Sequence, residues 1–137
     1  MHVNGQQRRP AVPAAETQAF VPDAAPAAGK EICLDLLGRH WRLTRPASLE
    51  ELWEAMTPDA FGEDERLPYW AELWPSSLVL ADWLGRVKGD IAGRACLDVG
   101  CGLGLTALLG AWLGAKVLAF DYEPDAARAT LANAAFN

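Results

Sequence analysis

The stretch ACLDVGCGLGLTALLGAW, residues 95–112, decides how the chain is read. Ala95 to Val99 is a short apolar run of the kind that forms a buried strand. It passes directly into Gly100-Cys101-Gly102-Leu103-Gly104. Leu105, Leu108, Leu109 and Trp112 then recur at helical spacing, and Gly114 is placed to close that helix. A strand, a glycine-rich turn and a helix are the parts of a nucleotide-type binding site. The turn lets backbone approach a ligand, and the helix N-terminus presents free N–H groups and roughly half a positive charge.

The spacing of the glycines separates the candidate ligands. A dinucleotide turn, G-x-G-x-x-G, counted from Gly100 requires glycine at a position that holds Leu105. A P-loop requires Gly-Lys-Ser/Thr after the turn, and the loop contains no lysine. Asp98 stands two residues before the first glycine. Asp121 ends a second strand, KVLAFD (116–121), 21 residues after Gly100, where a carboxylate can accept two hydrogen bonds from a ribose diol. Both acids suit a ligand with a ribose and an ammonium group. Pro124 then opens a helix whose apolar positions are Ala127, Leu131 and Ala134.

Upstream, Pro75 suits the first turn of a helix with Val79, Leu80, Trp83, Leu84 and Val87 on one side, ending at Gly89. Ser48 with Glu51 forms a capping box before Leu49, Leu52, Trp53 and Met56, and Pro58 stops that helix. ICLDLLGRHWRLTRP (32–46) predicts two short strands around Gly38, with Ile32, Leu34 and Leu36 on one face. DAFGEDER (59–66) is an acidic loop. Residues 1–30 hold eight Ala and four Pro and few large apolar side chains, so they cannot offset the entropy of ordering a backbone and are expected to be a disordered leader. The expected division is leader 1–30, strands and helix 31–66, and ligand-binding domain 67–137.

With 137 residues the chain has the length of one domain, and no apolar run reaches the roughly 18 to 20 residues of a membrane helix. Twelve Lys and Arg against eighteen Asp and Glu leave a net charge of −6, which disfavours non-specific nucleic-acid binding. Cys33, Cys96 and Cys101 are odd in number and form no CxxC pair, so neither a disulfide framework nor a zinc site is expected. A reducing cytoplasm fits. The residues after Arg8 and Arg9 include Pro13, Glu16 and Gln18 where an export signal needs an apolar core.

DVGCGLG (98–104), the acid of AFD at Asp121 and NAAFN (133–137) resemble the first two motifs of class I S-adenosylmethionine-dependent methyltransferases. LPYWAELWPSSLVLADWL (67–84) is similar to the segment before the first motif in the seven-β-strand lysine methyltransferases, the nicotinamide N-methyltransferase-like group, and within it most to the electron-transfer-flavoprotein β-subunit lysine methyltransferases. The resemblance implies a Rossmann-like, doubly wound α/β fold, S-adenosylmethionine as cofactor, and N-methylation of a protein lysine or a small amine. It further implies that Trp74 lines the cofactor pocket and that Gly100, Cys101, Gly102 and Gly104 carry the loop backbone along it. Asp121 would hold the ribose hydroxyls, and Asp98 would orient the amino end of the methionine moiety, directly or through water.

Trp70 is weighed between pocket and interior packing, Glu72 is read as solvated, and Trp83 and Trp112 are read as core. His40 is an ordinary strand or turn histidine, and Cys101 serves through its backbone and small size. The acceptor-side Asp-x-x-Tyr type of segment has no counterpart in the chain, so no catalytic residue is assigned. Only the first two of seven core strands are expected here, which makes the chain the N-terminal piece of a longer methyltransferase with an uncovered sheet edge prone to association. Two rivals stand beside this reading: a non-catalytic cofactor-binding or interaction module, and a nicotinamide or flavin dinucleotide protein with an atypical turn, against which Leu105 argues.

Overall fold

The computed structural model describes residues 30–56 and 67–137. The expected leader up to residue 29, Pro58 and the acidic loop 59–66 lie outside the described residues. Among the described residues the chain folds as a mixed α/β arrangement with two two-stranded sheets.

The first sheet is an antiparallel hairpin of β1 (Lys30–Leu36) and β2 (Arg39–Arg45), as the sequence predicts around Gly38. Its turn residues Leu37 and Gly38 both have positive φ, 55° and 77°, the handedness that matches the twist of a two-residue hairpin. The Leu37 side chain lies so close over Gly85 that a Cβ there would meet it at 2.6 Å. Ile32, Leu34 and Leu36 share the inner face with Leu43 and Trp41, and the pairs Ile32↔Leu43 and Leu34↔Trp41 are in register.

Helix α1 (Leu49–Ala55) carries the expected capping box. Ser48 Oγ accepts from the Glu51 N–H at 3.2 Å, and Glu51 Oε2 accepts from the Ser48 N–H at 2.7 Å. The Ser48 backbone, then Lys30, then the Ser48 hydroxyl hold the Glu51 carboxyl down from 4.5 to about 2. A depressed carboxylate contributes stability that is full above pH 4.5 and is lost as the pH falls toward 2. Wild type is therefore expected to lose its advantage over Glu51→Gln between those limits. Denaturation midpoints compared at neutral pH and near pH 3 check this, and a constant difference would show that the box carries no ionised contribution. The apolar stripe of α1 is only half-buried, with Trp53 exposed.

A 3-10 turn, Tyr69–Ala71, leads into α2 (Pro75–Arg86), with Pro75 at its first position, and then into the short α3 (Lys88–Ile91). The buried face of α2 differs from the expected one: Leu78, Ala81 and Leu84 pack on the core, whereas Val79, Leu80 and Trp83 point outward. Small side chains at Ala81 and Gly85 let α2 approach its neighbours, and the larger residues are left on the far side.

The unit β3 (Ala95–Val99), α4 (Leu105–Trp112), β4 (Lys116–Phe120) is the strand–loop–helix–strand read from residues 95–121. The strands pair in parallel from Ala95↔Lys116 to Val99↔Phe120. Both were expected to be buried, but each is covered on one face only. Leu97, Val99, Leu118 and Phe120 are between 45% and 65% exposed. Trp83 and Trp112, expected in the core, are 52% and 42% exposed. Trp112 still meets the buried Trp41 edge to face at 5.7 Å.

Helix α5 (Pro124–Phe136) corrects a further expectation. Its buried face is Ala126, Thr130 and Asn133, one residue round from Ala127, Leu131 and Ala134. Polar side chains tolerate burial there because each is hydrogen-bonded. The fully buried Asn133 donates Nδ2–H to the carbonyls of Leu103 (2.9 Å) and Thr44 (3.1 Å), and its Oδ1 accepts from the Thr44 N–H (2.7 Å) and hydroxyl (3.1 Å). One turn on, Asn137 Oδ1 accepts from the Arg42 N–H at 3.0 Å and its Nδ2 donates to the Arg42 carbonyl at 2.7 Å. Two amides at i, i+4 on a helix thus satisfy residues i, i+2 along the outer edge of β2, as a third strand would. Among the described residues no helix is long and apolar enough to cross a membrane.

Candidate functional site

The glycine loop between β3 and α4 is squeezed from two sides. Gly102, at φ 53°, lies where a Cβ would come within 3.1 Å of the Trp70 carbonyl oxygen. Gly104, at φ 88°, is the N-cap of α4, and a Cβ there would meet Thr130 at 2.8 Å. Both positions need left-handed backbone and the absence of a side chain, so only glycine fits. The Thr130 hydroxyl donates to the Gly102 carbonyl at 3.0 Å, which fixes α5 to the loop. The loop is also stitched to β4: the N–H groups of Gly100 and Cys101 both donate to the Phe120 carbonyl, at 2.9 and 3.1 Å.

Asp121 stands at the end of β4 facing this loop. Its Oδ2 accepts from the Gly102 N–H at 2.9 Å and its Oδ1 from the Glu123 N–H at 3.0 Å. A carboxylate has about four lone-pair sites, so each oxygen keeps acceptor capacity beyond these two bonds.

A cleft of about 470 Å³ opens between the loop and the segment 67–77. Its lining includes Trp74, Gly100, Cys101, Gly102, Gly104 and Asp121, six of the seven residues expected from sequence. Trp74 is 46% exposed, donates its indole N–H to the Tyr69 carbonyl at 3.0 Å, and meets the Tyr69 ring at 5.6 Å. Trp70 does both things weighed for it: it lines the cleft and packs on the core. The seventh residue, Asp98, is not among the lining residues, and its Oδ2 accepts the hydroxyl proton of Thr106 at 2.7 Å. Burial pushes the Cys101 thiol up, and its Sγ lies 3.3 Å from the Thr130 hydroxyl oxygen, whose own proton goes to the Gly102 carbonyl, so this cysteine is no thiolate nucleophile.

Glu72 corrects the solvated reading. It is half-buried in the cleft wall, pairs with Arg45 of β2, and accepts from the Leu49 N–H at 3.2 Å. It therefore ties the wall to the hairpin and to the start of α1. His40 lies on the exposed side of the hairpin, bonded to Asp35 at 2.9 Å, away from the cleft. Sequence reasoning missed Tyr69, Thr106 and Tyr122 in the lining. For Thr106 a signal existed, a hydroxyl in the first turn of the helix after the glycines. The charged side chains of the lining are Glu72, Asp121 and Glu123, with no Lys, Arg or His among the lining residues described.

No family model matches the chain. Its curated relatives are class I methyltransferases, the class that the motifs resemble. The electron transfer flavoprotein beta subunit lysine methyltransferase of Danio rerio is 44% identical over 71 residues, 51% of this chain and 28% of the relative. The protein of that name from Homo sapiens is 37% identical over 71 residues, 51% of this chain and 27% of the relative. The ribosomal protein L11 methyltransferase of Vibrio campbellii is 33% identical over 97 residues, 64% of this chain and 32% of the relative. The chain thus spans about a third or less of the length of these relatives.

Proposed function

We propose that this chain forms the S-adenosylmethionine-binding part of a class I methyltransferase with a doubly wound sheet, acting on nitrogen of a protein lysine or a small amine. The observation that carries the reading is the cleft itself. Its size suits a ligand of this class, backbone with left-handed glycines forms one wall, and among the described residues the charged side chains of its lining are Asp121, Glu123 and the Arg45-paired Glu72. Such a lining favours a cation and opposes the pyrophosphate of a dinucleotide, which strengthens the argument made from Leu105.

When bound, S-adenosylmethionine supplies a methyl group on a sulfonium for in-line displacement. The work of this chain's residues is to bind and orient. Gly100, Cys101, Gly102 and Gly104 run backbone along the ligand. The spare lone pairs of Asp121 accept from the ribose diol. Trp74 offers an indole face near the sulfonium, a contact of ~0.5 to 2 kcal/mol. Both kinds of relative are named for protein substrates, which supports a protein acceptor over a small amine.

A thermal-shift titration of the chain tests the proposal. Melting is expected to rise with S-adenosylmethionine or S-adenosylhomocysteine, by about 2.7 kcal/mol of stability at 100 times the dissociation constant, and to stay fixed with NAD. Stabilisation by NAD alone overturns the reading. Transfer of labelled methyl to protein or amine supports an enzyme, and binding without transfer supports the non-catalytic module.

A further inference from the structure

Glu72 stands in the cleft wall across from the glycine loop, with its side chain 30% exposed. Arg45 Nη1 and the Leu49 N–H both donate to a single oxygen, Oε1, the latter at 3.2 Å, and Oε2 receives no bond from another described residue. A guanidinium that pairs with a carboxylate for stability alone meets both oxygens with two nitrogens. That fork is not made here. Arg45 Nη1 turns also to the Ala71 carbonyl at 3.4 Å, and the buried Nε has no partner among the described residues. The result is a carboxylate held by one oxygen, with the acceptor capacity of the other left over. No Lys, Arg or His stands among the described lining residues, so a charged donor for Oε2 comes with a ligand. Tyr69, in the same wall, is half-exposed and meets the Trp74 ring at 5.6 Å. An aromatic wall of this kind accepts an alkyl chain and the cation at its end.

We propose that Glu72 is the specificity-determining residue for the methyl acceptor: its Oε2 accepts a hydrogen bond from an incoming primary amine whose alkyl chain lies along Tyr69. A carboxylate in this place favours an amine, which arrives as an ammonium, over a hydroxyl or an acid. The inference rests on the cofactor reading above and adds the group that receives the second substrate. Because the two oxygens have different partners, the structural tie and the recognition can be separated. In Glu72→Gln the carbonyl must face the donors from Arg45 and Leu49, which puts the amide NH2 where Oε2 stood. An acceptor thereby becomes a donor.

NMR titration of the full chain saturated with S-adenosylhomocysteine, followed on its indole N–H signals, tests the proposal with Nα-acetyl-lysine amide and Nα-acetyl-norleucine amide, which differ by the amine alone. Wild type is expected to bind the lysine amide about tenfold or more tightly than the norleucine amide. Glu72→Gln is expected to reduce that preference to about twofold or less, while its melting midpoint stays nearer to wild type than that of Glu72→Ala. A preference retained in Glu72→Gln, or no preference in a wild-type chain that binds S-adenosylhomocysteine, overturns the inference and leaves the cofactor reading standing. A midpoint for Glu72→Gln as low as for Glu72→Ala, with the preference lost, marks a purely structural role and overturns it as well. A wild-type chain that does not bind S-adenosylhomocysteine overturns both readings. Should Glu72→Gln fail to fold, the Nε-trimethylated lysine amide decides, since it keeps the charge but has no N–H to donate. It is expected to bind wild type at least about threefold more weakly than the lysine amide, and equal binding overturns the inference.

Discussion

Replacing Asp121 by Ala is expected to weaken S-adenosylhomocysteine binding about 10- to 100-fold, a loss of roughly 1.5 to 3 kcal/mol. Two effects combine. On the proposed cofactor reading the ribose diol loses its acceptors, and the Gly102 and Glu123 N–H groups lose the carboxylate that holds the β3–α4 loop and the β4–α5 turn together. Asp121→Asn is an informative companion because it is not a neutral isostere. An amide nitrogen cannot accept, so whichever way the side chain turns, one of the two N–H groups faces a donor. Asn is therefore expected to fall between wild type and Ala. Calorimetric titration of the three proteins checks this order, and an affinity unchanged in Asp121→Ala would remove Asp121 from the site.

Asn133→Leu is expected to destabilise the fold by about 3 kcal/mol or more, read from the midpoint of chemical denaturation. Leucine fills a similar volume but leaves the Leu103 carbonyl and the N–H and C=O of Thr44 facing apolar carbon. Buried groups deprived of partners each cost about 1 to 3 kcal/mol. Asn137→Ala removes the same pattern of bonds at Arg42, but those bonds lie at an exposed position where water can substitute, so a loss of about 1 kcal/mol or less is expected there. Similar midpoints for the two variants would refute the account of α5 as the edge partner of β2.

The site was legible where sequence encodes backbone. Glycines at 100, 102 and 104 all take positive φ, and the acid at 121 faces them, because a glycine turn after a strand leaves few other arrangements. The capping box and the hairpin turn were legible for the same reason, since local chemistry decides them. Faces of helices were not. On α5 an apolar count selects Leu131, whereas the structure buries Asn133, whose partners Thr44 and Leu103 are 89 and 30 residues away. On α2 the larger side chains Val79 and Trp83 outweigh Ala81 in any hydrophobicity sum, yet close helix approach needs the smaller one. Glu72 reads as surface because its partner Arg45 is 27 residues distant. Spacing singled out Asp98, but it is not among the cleft-lining residues, and its bond to the Thr106 hydroxyl depends on how α4 leaves the loop.

The amide pair on α5 also bears on the order in which the chain can acquire structure. β1 and β2 are neighbours in sequence and can meet within microseconds, but the groups that close the outer edge of β2 are synthesised 89 and 95 residues later. Until α5 emerges from the ribosome, the hairpin carries an open ladder of N–H and C=O groups. The rate at which that edge finds Asn133, against the rate at which it finds another chain, sets the yield of native protein.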